Sequence, residues 1–484
     1  MFNNTRVVFF WLTFFFLFAC KKDSAIKNED NFVEQPEQLS ELKAEISAAG
    51  NQFLEVQWTQ VNNTHFKAVT YSIYLDDQKI IDGLATTKYR FINLNPGQSY
   101  TVKIKASTKD GKEIEQTVSG TTLSPTSGGR VYQEYGIHSY SWMSGNVGLQ
   151  KLSDGGHLVV RFLQHPDYFA EGTFKIIVFR TDKTGNMLWY RLLSSMGYAD
   201  LQSSEILLAT HNQEKEGLIV LQDYVIKITT SNGEILLKKR YKDNLNGEIF
   251  RAVYATPNEL IIGCEQGSLL SVNPVDLSLN WLHTKVSKSG LIMAINLDSK
   301  KNICYILREL NDNYSKIRVH KCNAKGEFLK EFSFDGALPD GGDLGGDMKT
   351  MLIDAQDNFY LFGGNSSFYR LNYVKFSADG KLVKHDENPE HLWVRGAFFN
   401  NKGEIVVTGQ VDRGGLNTFL GIYVFDKDMN IKTKNVYADI PPHIARGITT
   451  NLDGSYNIFL DYMQTYTYDN SNFIFIKTNS DGKL

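Results

Sequence analysis

Apolar and polar residues alternate in short runs along most of the chain, most clearly from Lys175 to Leu193, K-I-I-V-F-R-T-D-K-T-G-N-M-L-W-Y-R-L-L. An apolar run, a polar turn ending in Thr184-Gly185-Asn186 and a second apolar run predict a β-hairpin. Glycine supplies the positive φ of the turn, and Ile, Val, Phe and Trp suit a pleated, packed surface. The pattern returns six times. Tyr224–Tyr241 carries S-N-G-E, Lys316–Phe332 carries A-K-G-E, Tyr373–His385 carries A-D-G-K, and Phe473–Leu484 ends on S-D-G-K-L. Two further copies, V-D-L-S-L-N-W from Val275 and F-D-K-D-M-N-I from Phe425, keep the frame without the glycine.

The turn positions Gly185, Gly233, Leu277, Gly326, Gly380, Met429 and Gly482 are 48, 44, 49, 54, 49 and 53 residues apart. Before each hairpin lies another strand pair with a polar turn, as in D-G-G-H-L-V-V from Asp154, K-K-N-I-C-Y-I from Lys300 and K-G-E-I-V-V-T-G from Lys402. Four short strands in a repeat of roughly 40–50 residues are the signature of a β-propeller. Residues 130–484 are expected to form one with seven blades, six or eight being the alternatives. The last repeat stops as its fourth strand is due, and Arg130–Tyr135 is a strand without a repeat of its own, so this strand is expected to complete the last blade. Closure of that kind removes exposed sheet edges. The run Asp182-Lys183-Thr184-Gly185 through Trp189, and more loosely Asp276 through Trp281, resembles the blade motif of quinoprotein-type propellers. That resemblance implies a tryptophan docked between neighbouring blades.

From Leu39 to Leu123 the strands are short and evenly spaced. Phe53-Leu54-Glu55-Val56-Gln57-Trp58 alternates, with Leu54, Val56 and Trp58 expected on the core face. Tyr71–Leu75 and Lys88–Ile92 follow, and then Leu94-Asn95-Pro96-Gly97-Gln98-Ser99-Tyr100-Thr101-Val102-Lys103-Ile104-Lys105-Ala106. The Leu-x-Pro-Gly turn, the tyrosine corner and the core tryptophan resemble the fibronectin type III domain. The resemblance implies a sandwich of seven strands over 39–123 that serves as a spacer or adhesive module. Residues 124–129, Ser-Pro-Thr-Ser-Gly-Gly, read as a linker. The whole chain is thus expected to be all-β.

Residues 1–20 read as a targeting segment. Arg6 supplies the positive charge and Val7–Phe18 is an apolar run of 12 residues, shorter than the roughly 20 a membrane-spanning helix needs. Leu17-Phe18-Ala19-Cys20 resembles the bacterial lipobox, which implies lipidation, typically with palmitate, at Cys20. An ordinary signal peptide with an incidental cysteine is the alternative. Lys21-Lys22-Asp23-Ser24 is similar to the start of Bacteroidetes-type surface lipoproteins, which implies an outer-membrane lipoprotein facing the cell surface, the periplasmic face being the alternative. Residues 21–38 are charged and polar and read as a flexible tether.

The net charge of −3, with acids and bases interspersed, gives no electrostatic case for nucleic acid. The membrane is expected to be contacted only through the N-terminal lipid, and a monomer is expected. Beyond Cys20 the cysteines are Cys264, Cys304 and Cys322. Cys304 and Cys322 fall on consecutive strands of one blade; buried free thiols are expected, a bridge being the alternative. No C-x-x-C or His-x-His cluster occurs, and no cofactor is expected apart from one opening for Ca²⁺. Asp335, Asp340, Asp343 and Asp347 lie on a glycine-rich stretch that can wrap a hard cation through oxygens, although such stretches also occur as plain solvated turns.

Seven residues before the polar turn of four repeats stand Arg251, Lys349, Arg395 and Arg446. The start of a blade's innermost strand borders the axial channel, so four cations there predict a positive funnel for carboxylates, sulfates or phosphates. His138, Tyr140, Trp142, His391, Trp393 and His443 are expected in connections at the same rim, where they could stack on a sugar or peptide. The alternative is that all of these bond neighbouring loops or line a water-filled channel. The pattern favours a non-catalytic binding or scaffold protein for an anionic glycan or protein ligand. A polysaccharide lyase or hydrolase acting on an acidic glycan is the alternative, and a quinone-dependent dehydrogenase ranks third.

Overall fold

In the computed structural model the described residues are 38–64, 68–124, 126–127, 130–139, 147–163, 173–197, 206–284, 290–310, 315–334, 348–364, 370–412, 418–437, 443–451, 453–463, 471–479 and 483. Among them the sole helix is the four-residue turn Lys242–Leu245, and none is long and apolar enough to cross a membrane.

The first folded unit is a sandwich. Ala44–Ala49, Phe53–Trp58 and Lys88–Ile92 make one sheet; Gln78–Leu84, Val69–Leu75, Ser99–Thr108 and Glu113–Thr121 make the other, in that spatial order. Leu54, Val56, Trp58, Tyr100, Val102, Ile104 and Ala106 fill the space between them, as the alternation predicts. The Tyr100 hydroxyl accepts from the Asn95 amide at 2.8 Å, which is the corner that pins the Pro96-Gly97 turn. Glu55 is buried outside the apolar core, where Arg90 donates through Nε at 2.9 Å and Nη2 at 2.7 Å. Lys88 adds an ion pair at 2.6 Å.

Apart from the two-residue strand Thr126–Ser127, which pairs with Arg130–Ser139, the remaining strands form seven four-stranded antiparallel blades. Blade 1 is Gly148–Lys151, His157–Leu163, Thr173–Thr181 and Met187–Gly197. The innermost strands of blades 2, 3, 4, 5 and 7 are Ile206–His211, Phe250–Ala255, Gly290–Leu297, Met348–Ile353 and His443–Thr450. Leu382–Phe399 serves two blades: its first part pairs with Arg370–Phe376 as the outermost strand of blade 5, and its second with Ile405–Asp412 as the innermost strand of blade 6. Blade 7 draws three strands from the C-terminal repeat, and Arg130–Ser139 pairs antiparallel with Ser471–Lys477 as its fourth. The closure expected from the unmatched strand is therefore present.

The recurring turn explains the repeat. In Asp182–Asn186 the Asp182 carboxylate accepts from the amides of Thr184 and Asn186 at 2.8 and 2.9 Å. Asp298, Asn323, Asp354, Asn400 and Asp426 take the same two amide bonds two and four residues on. An Asp or Asn side chain thus closes a five-residue loop by itself. Burial pushes the Asp182, Asp298 and Asp354 carboxyls upward, but side-chain hydrogen bonds (from Thr184 and Asn186, from Lys321 and Asn302, and from Asn358, respectively) together with the turn amides outweigh it and hold all three below the usual range.

Glycine at these turns has a second role. Gly185 and Gly233 have φ of +84° and +71°, and a Cβ there would lie 2.3 Å from Phe475 and 2.5 Å from Trp189 of the preceding blade. Trp189 also donates its Nε1 hydrogen to Thr230 O at 3.1 Å, and Trp281 stands against Gly326 in the same way. Both tryptophans are inter-blade wedges. Leu277 and Met429 adopt positive φ without being glycine (59° and 63°). Their buried side chains offset a left-handed cost of about 1–2 kcal/mol.

Cys264, Cys304 and Cys322 are buried free thiols. Cys322 pairs with Ile303 rather than Cys304, so the two thiols point to opposite faces of blade 4. Cys304 enters the core shared with blade 5 and Cys322 the core shared with blade 3.

Candidate functional site: the bulged inner rim

Each innermost strand runs from one rim of the propeller to the other. The five-residue turns gather at the end of that strand, and the described connection from blade 2 to blade 3, which holds Lys242–Leu245, leads to its start. The sandwich docks at the turn rim: Gln52 Oε1 accepts from the Met187 amide at 3.0 Å, and Ile92 packs on the core between blades 7 and 1. The opposite rim, where the inner strands begin, is the one carrying the four cations.

The ladder places all four cations in one register. In blade 3 Phe250 pairs with Cys264 and Ala252 with Gly263, leaving Arg251 as an extra residue. Lys349 between Met348 and Thr350, Arg395 between Val394 and Gly396, and Arg446 between Ala445 and Gly447 are extra in the same way. Blade 4 has the matching irregularity at Met293, whereas the innermost strand of blade 2 pairs without a shift. A bulge re-aims the inserted side chain and interrupts pairing, which is why bulges recur next to functional sites.

Two of the four cations have described side chains. Arg251 Nη2 lies 3.1 Å from Glu265 Oε1. Arg395 donates through Nε (3.2 Å) and Nη2 (2.8 Å) to Gln410 Oε1, and its guanidinium sits 4.0 Å above the Trp393 ring. Glu265 and Gln410 occupy one structural position, the residue of the second strand just past the partner of the pre-bulge residue. The same position holds Arg308 in blade 4, Gly364 in blade 5 and Asp461 in blade 7. The Arg395 fork is thus fixed by an aromatic face below and an amide beside it, and it meets a neutral partner where Arg251 meets a carboxylate.

Of the other expected site residues, Trp393 lies under Arg395, and the backbones of His391 and His443 lie at the rim where the innermost strands of blades 6 and 7 begin. His138, His391 and His443 lie within strands, paired with Asn472, Arg370 and Tyr462, rather than in connections. His138 is in the outermost strand of blade 7, three strand spacings or about 14 Å of sheet from the innermost, so it is removed from the axial set. Side chains of these three histidines, of Lys349 and of Arg446 are outside the described residues, as are Tyr140, Trp142 and the stretch with Asp335, Asp340, Asp343 and Asp347. Among the described residues no group of His, Cys, Asp and Glu could hold a metal ion. Sequence reasoning missed Arg308.

The fibronectin type III domain model matches residues 35–122. No curated protein matches the chain by sequence. Among solved structures, a protein of unknown function from Bacteroides caccae is 12% identical with a TM-score of 0.40, covering 56% of this chain and 92% of its own. BamB from Moraxella catarrhalis is 11% identical with a TM-score of 0.39, covering 71% of this chain and 97% of its own. The chain is an all-β protein in which a fibronectin type III domain precedes a seven-bladed β-propeller.

Proposed function

We propose that the chain is a lipid-anchored, cell-surface binding protein whose propeller takes an anionic glycan or protein ligand at the rim where the inner strands begin. The observation that carries this reading is the shared register of Arg251, Lys349, Arg395 and Arg446, each the extra residue of an innermost-strand bulge. Cations at chance positions would not fall on one structural site in four blades. Guanidinium forks suit carboxylate, sulfate and phosphate geometry, and a narrow axial site concentrates their field. The sandwich on the opposite rim leaves this face turned away from the N-terminal attachment. Cys20 would carry the lipid, and the tether and sandwich would act as spacers.

Isothermal titration of the full chain against a panel of sulfated and carboxylated glycans and acidic peptides tests the reading. Binding that weakens as salt rises, and weakens at least tenfold in Lys349→Ala/Arg395→Ala, is expected. Absence of binding across the panel, or binding indifferent to both substitutions, would overturn it.

A further inference from the structure

The turn rim carries two clefts between adjacent blades, and they differ in how their polar groups are used. Between blades 1 and 2 a cleft of about 560 Å³ is lined by Asp154, Arg180 and residues 212–216. Arg180 donates to Asp154 Oδ2 (2.5 Å) and to Thr230 O (3.2 Å), and the Ser153 amide donates to Glu214 Oε2 (2.6 Å). The polar groups of this cleft hold the two blades together. Between blades 3 and 4 the corresponding cleft is larger, about 840 Å³, and is lined by Tyr254, Glu259, Asn273 and Asn280 of blade 3 and Lys301 of blade 4. Among the described residues nothing bonds the Tyr254 hydroxyl, the Glu259 carboxylate or the Lys301 ammonium. Asn273 Oδ1 accepts from the Val275 amide (2.9 Å) and Asn280 Nδ2 donates to Ser271 Oγ (3.0 Å), which leaves Asn273 Nδ2 and Asn280 Oδ1 open. A polar contact does cross this seam, His283 Nε2 to Lys325 O at 2.8 Å, but it starts from the outermost strand of blade 3.

The larger cleft is open to solvent. Val275, Asn280 and Lys301 on its border are exposed, and the sandwich stands three blades round the ring, against blades 7 and 1. We infer that this cleft binds a neutral sugar. One carboxylate and one ammonium balance each other, so the cleft favours a ligand without net charge. Its open acceptors, Glu259 and Asn280 Oδ1, and its open donors, Lys301 and Asn273 Nδ2, match sugar hydroxyls, each of which donates and accepts. The half-buried Tyr254 ring, which packs on the core between blades 3 and 4, offers an apolar surface to the C–H face of a pyranose and a free hydroxyl at its edge. A few convergent polar groups in a partly apolar cleft of this size are the usual form of a small-molecule site. The inference does not rest on the cationic bulges, which lie on the opposite rim.

Calorimetric titration of the full chain with neutral hexasaccharides of glucose, mannose, galactose and xylose tests it. At least one is expected to bind, with an affinity that does not change between low and high salt. Glu259→Ala/Lys301→Ala should weaken that binding at least tenfold without lowering the melting temperature, since neither side chain bonds anything in the folded chain. Tyr254→Ala should weaken it as much, whereas Arg180→Gln, in the cleft between blades 1 and 2, should change it less than twofold. Absence of binding across the four sugars, or unchanged affinity in Glu259→Ala/Lys301→Ala, overturns the site while the anionic rim stands. Affinity that falls as salt rises, or that is lost in Lys349→Ala/Arg395→Ala instead, places the glycan on the opposite rim and overturns the site as well.

Discussion

Ring closure between blades 7 and 1 is expected to be sensitive to acid through one buried imidazole. His157 opens the second strand of blade 1 and is fully buried. Its Nε2 lies 2.8 Å from Thr449 Oγ1 on the innermost strand of blade 7, and the Phe459 ring meets it edge-on at 5.0 Å. Nδ1 has no partner. Burial, and then the nearby Lys151 ammonium, lower its pKa from 6.5 to about 3, so the folded protein keeps the ring neutral. A base with a depressed folded pKa is protonated first in the unfolded or opened chain. Its contribution is therefore full above pH 6.5 and is lost as pH falls toward 3. The loss is about 1.4 kcal/mol per pH unit in that window, or about 2 kcal/mol at pH 5, roughly a thirtyfold shift toward the open form. His157→Gln keeps a hydrogen-bonding group for Thr449 but cannot titrate. Denaturant unfolding of both proteins at pH 7.5 and pH 5.0 is the assay. His320, also held low first by burial, is common to both and cancels in the comparison. The unsubstituted chain should lose about 2 kcal/mol more than the variant over this interval; equal losses would refute the reasoning.

The docking role of the turns predicts that Gly185→Ala, whose Cβ would lie 2.3 Å from Phe475, destabilises well beyond the left-handed cost of about 1–2 kcal/mol. Gly111→Ala, at φ +83° with nothing within 4 Å, should cost that amount alone, and melting temperatures of the two variants separate these terms. Arg90→Ala strips two hydrogen bonds from buried Glu55 and should destabilise the sandwich by about 3 kcal/mol, read by unfolding of the full chain with the tryptophan signal. Burial raises the Cys304 and Cys322 thiols to about 12 and about 11. Both should therefore resist iodoacetamide at pH 8 until denaturant is added, and rapid labelling of the folded chain would contradict their placement.

Much of the fold could be read from the chain because its repeating unit is local. An Asp or Asn at the first turn position, a left-handed residue at the fourth and apolar strands on either side are visible in any one copy. The frame also located Leu277 and Met429, whose positive φ has no glycine to announce it. The site was legible only as far as the inner strand. Counting back from the turn found Arg251, Lys349, Arg395 and Arg446, but a bulge is a mismatch between two strands, and one strand's sequence does not record it. Arg308 was invisible for the same reason, since its place beside the inner-strand irregularity of blade 4 is set by how two strands pair. His138 misled because a strand taken from the N-terminal side of the repeats sits outermost in blade 7, away from the axis.

The central claim is that cations on the inner-strand bulges receive an anionic ligand, and the salt dependence of binding tests it most directly. Affinity of the full chain for an acidic glycan should fall linearly in log–log form as salt rises, and Lys349→Ala/Arg395→Ala should bind more weakly with a shallower slope. Identical slopes and affinities in the two proteins would contradict the account.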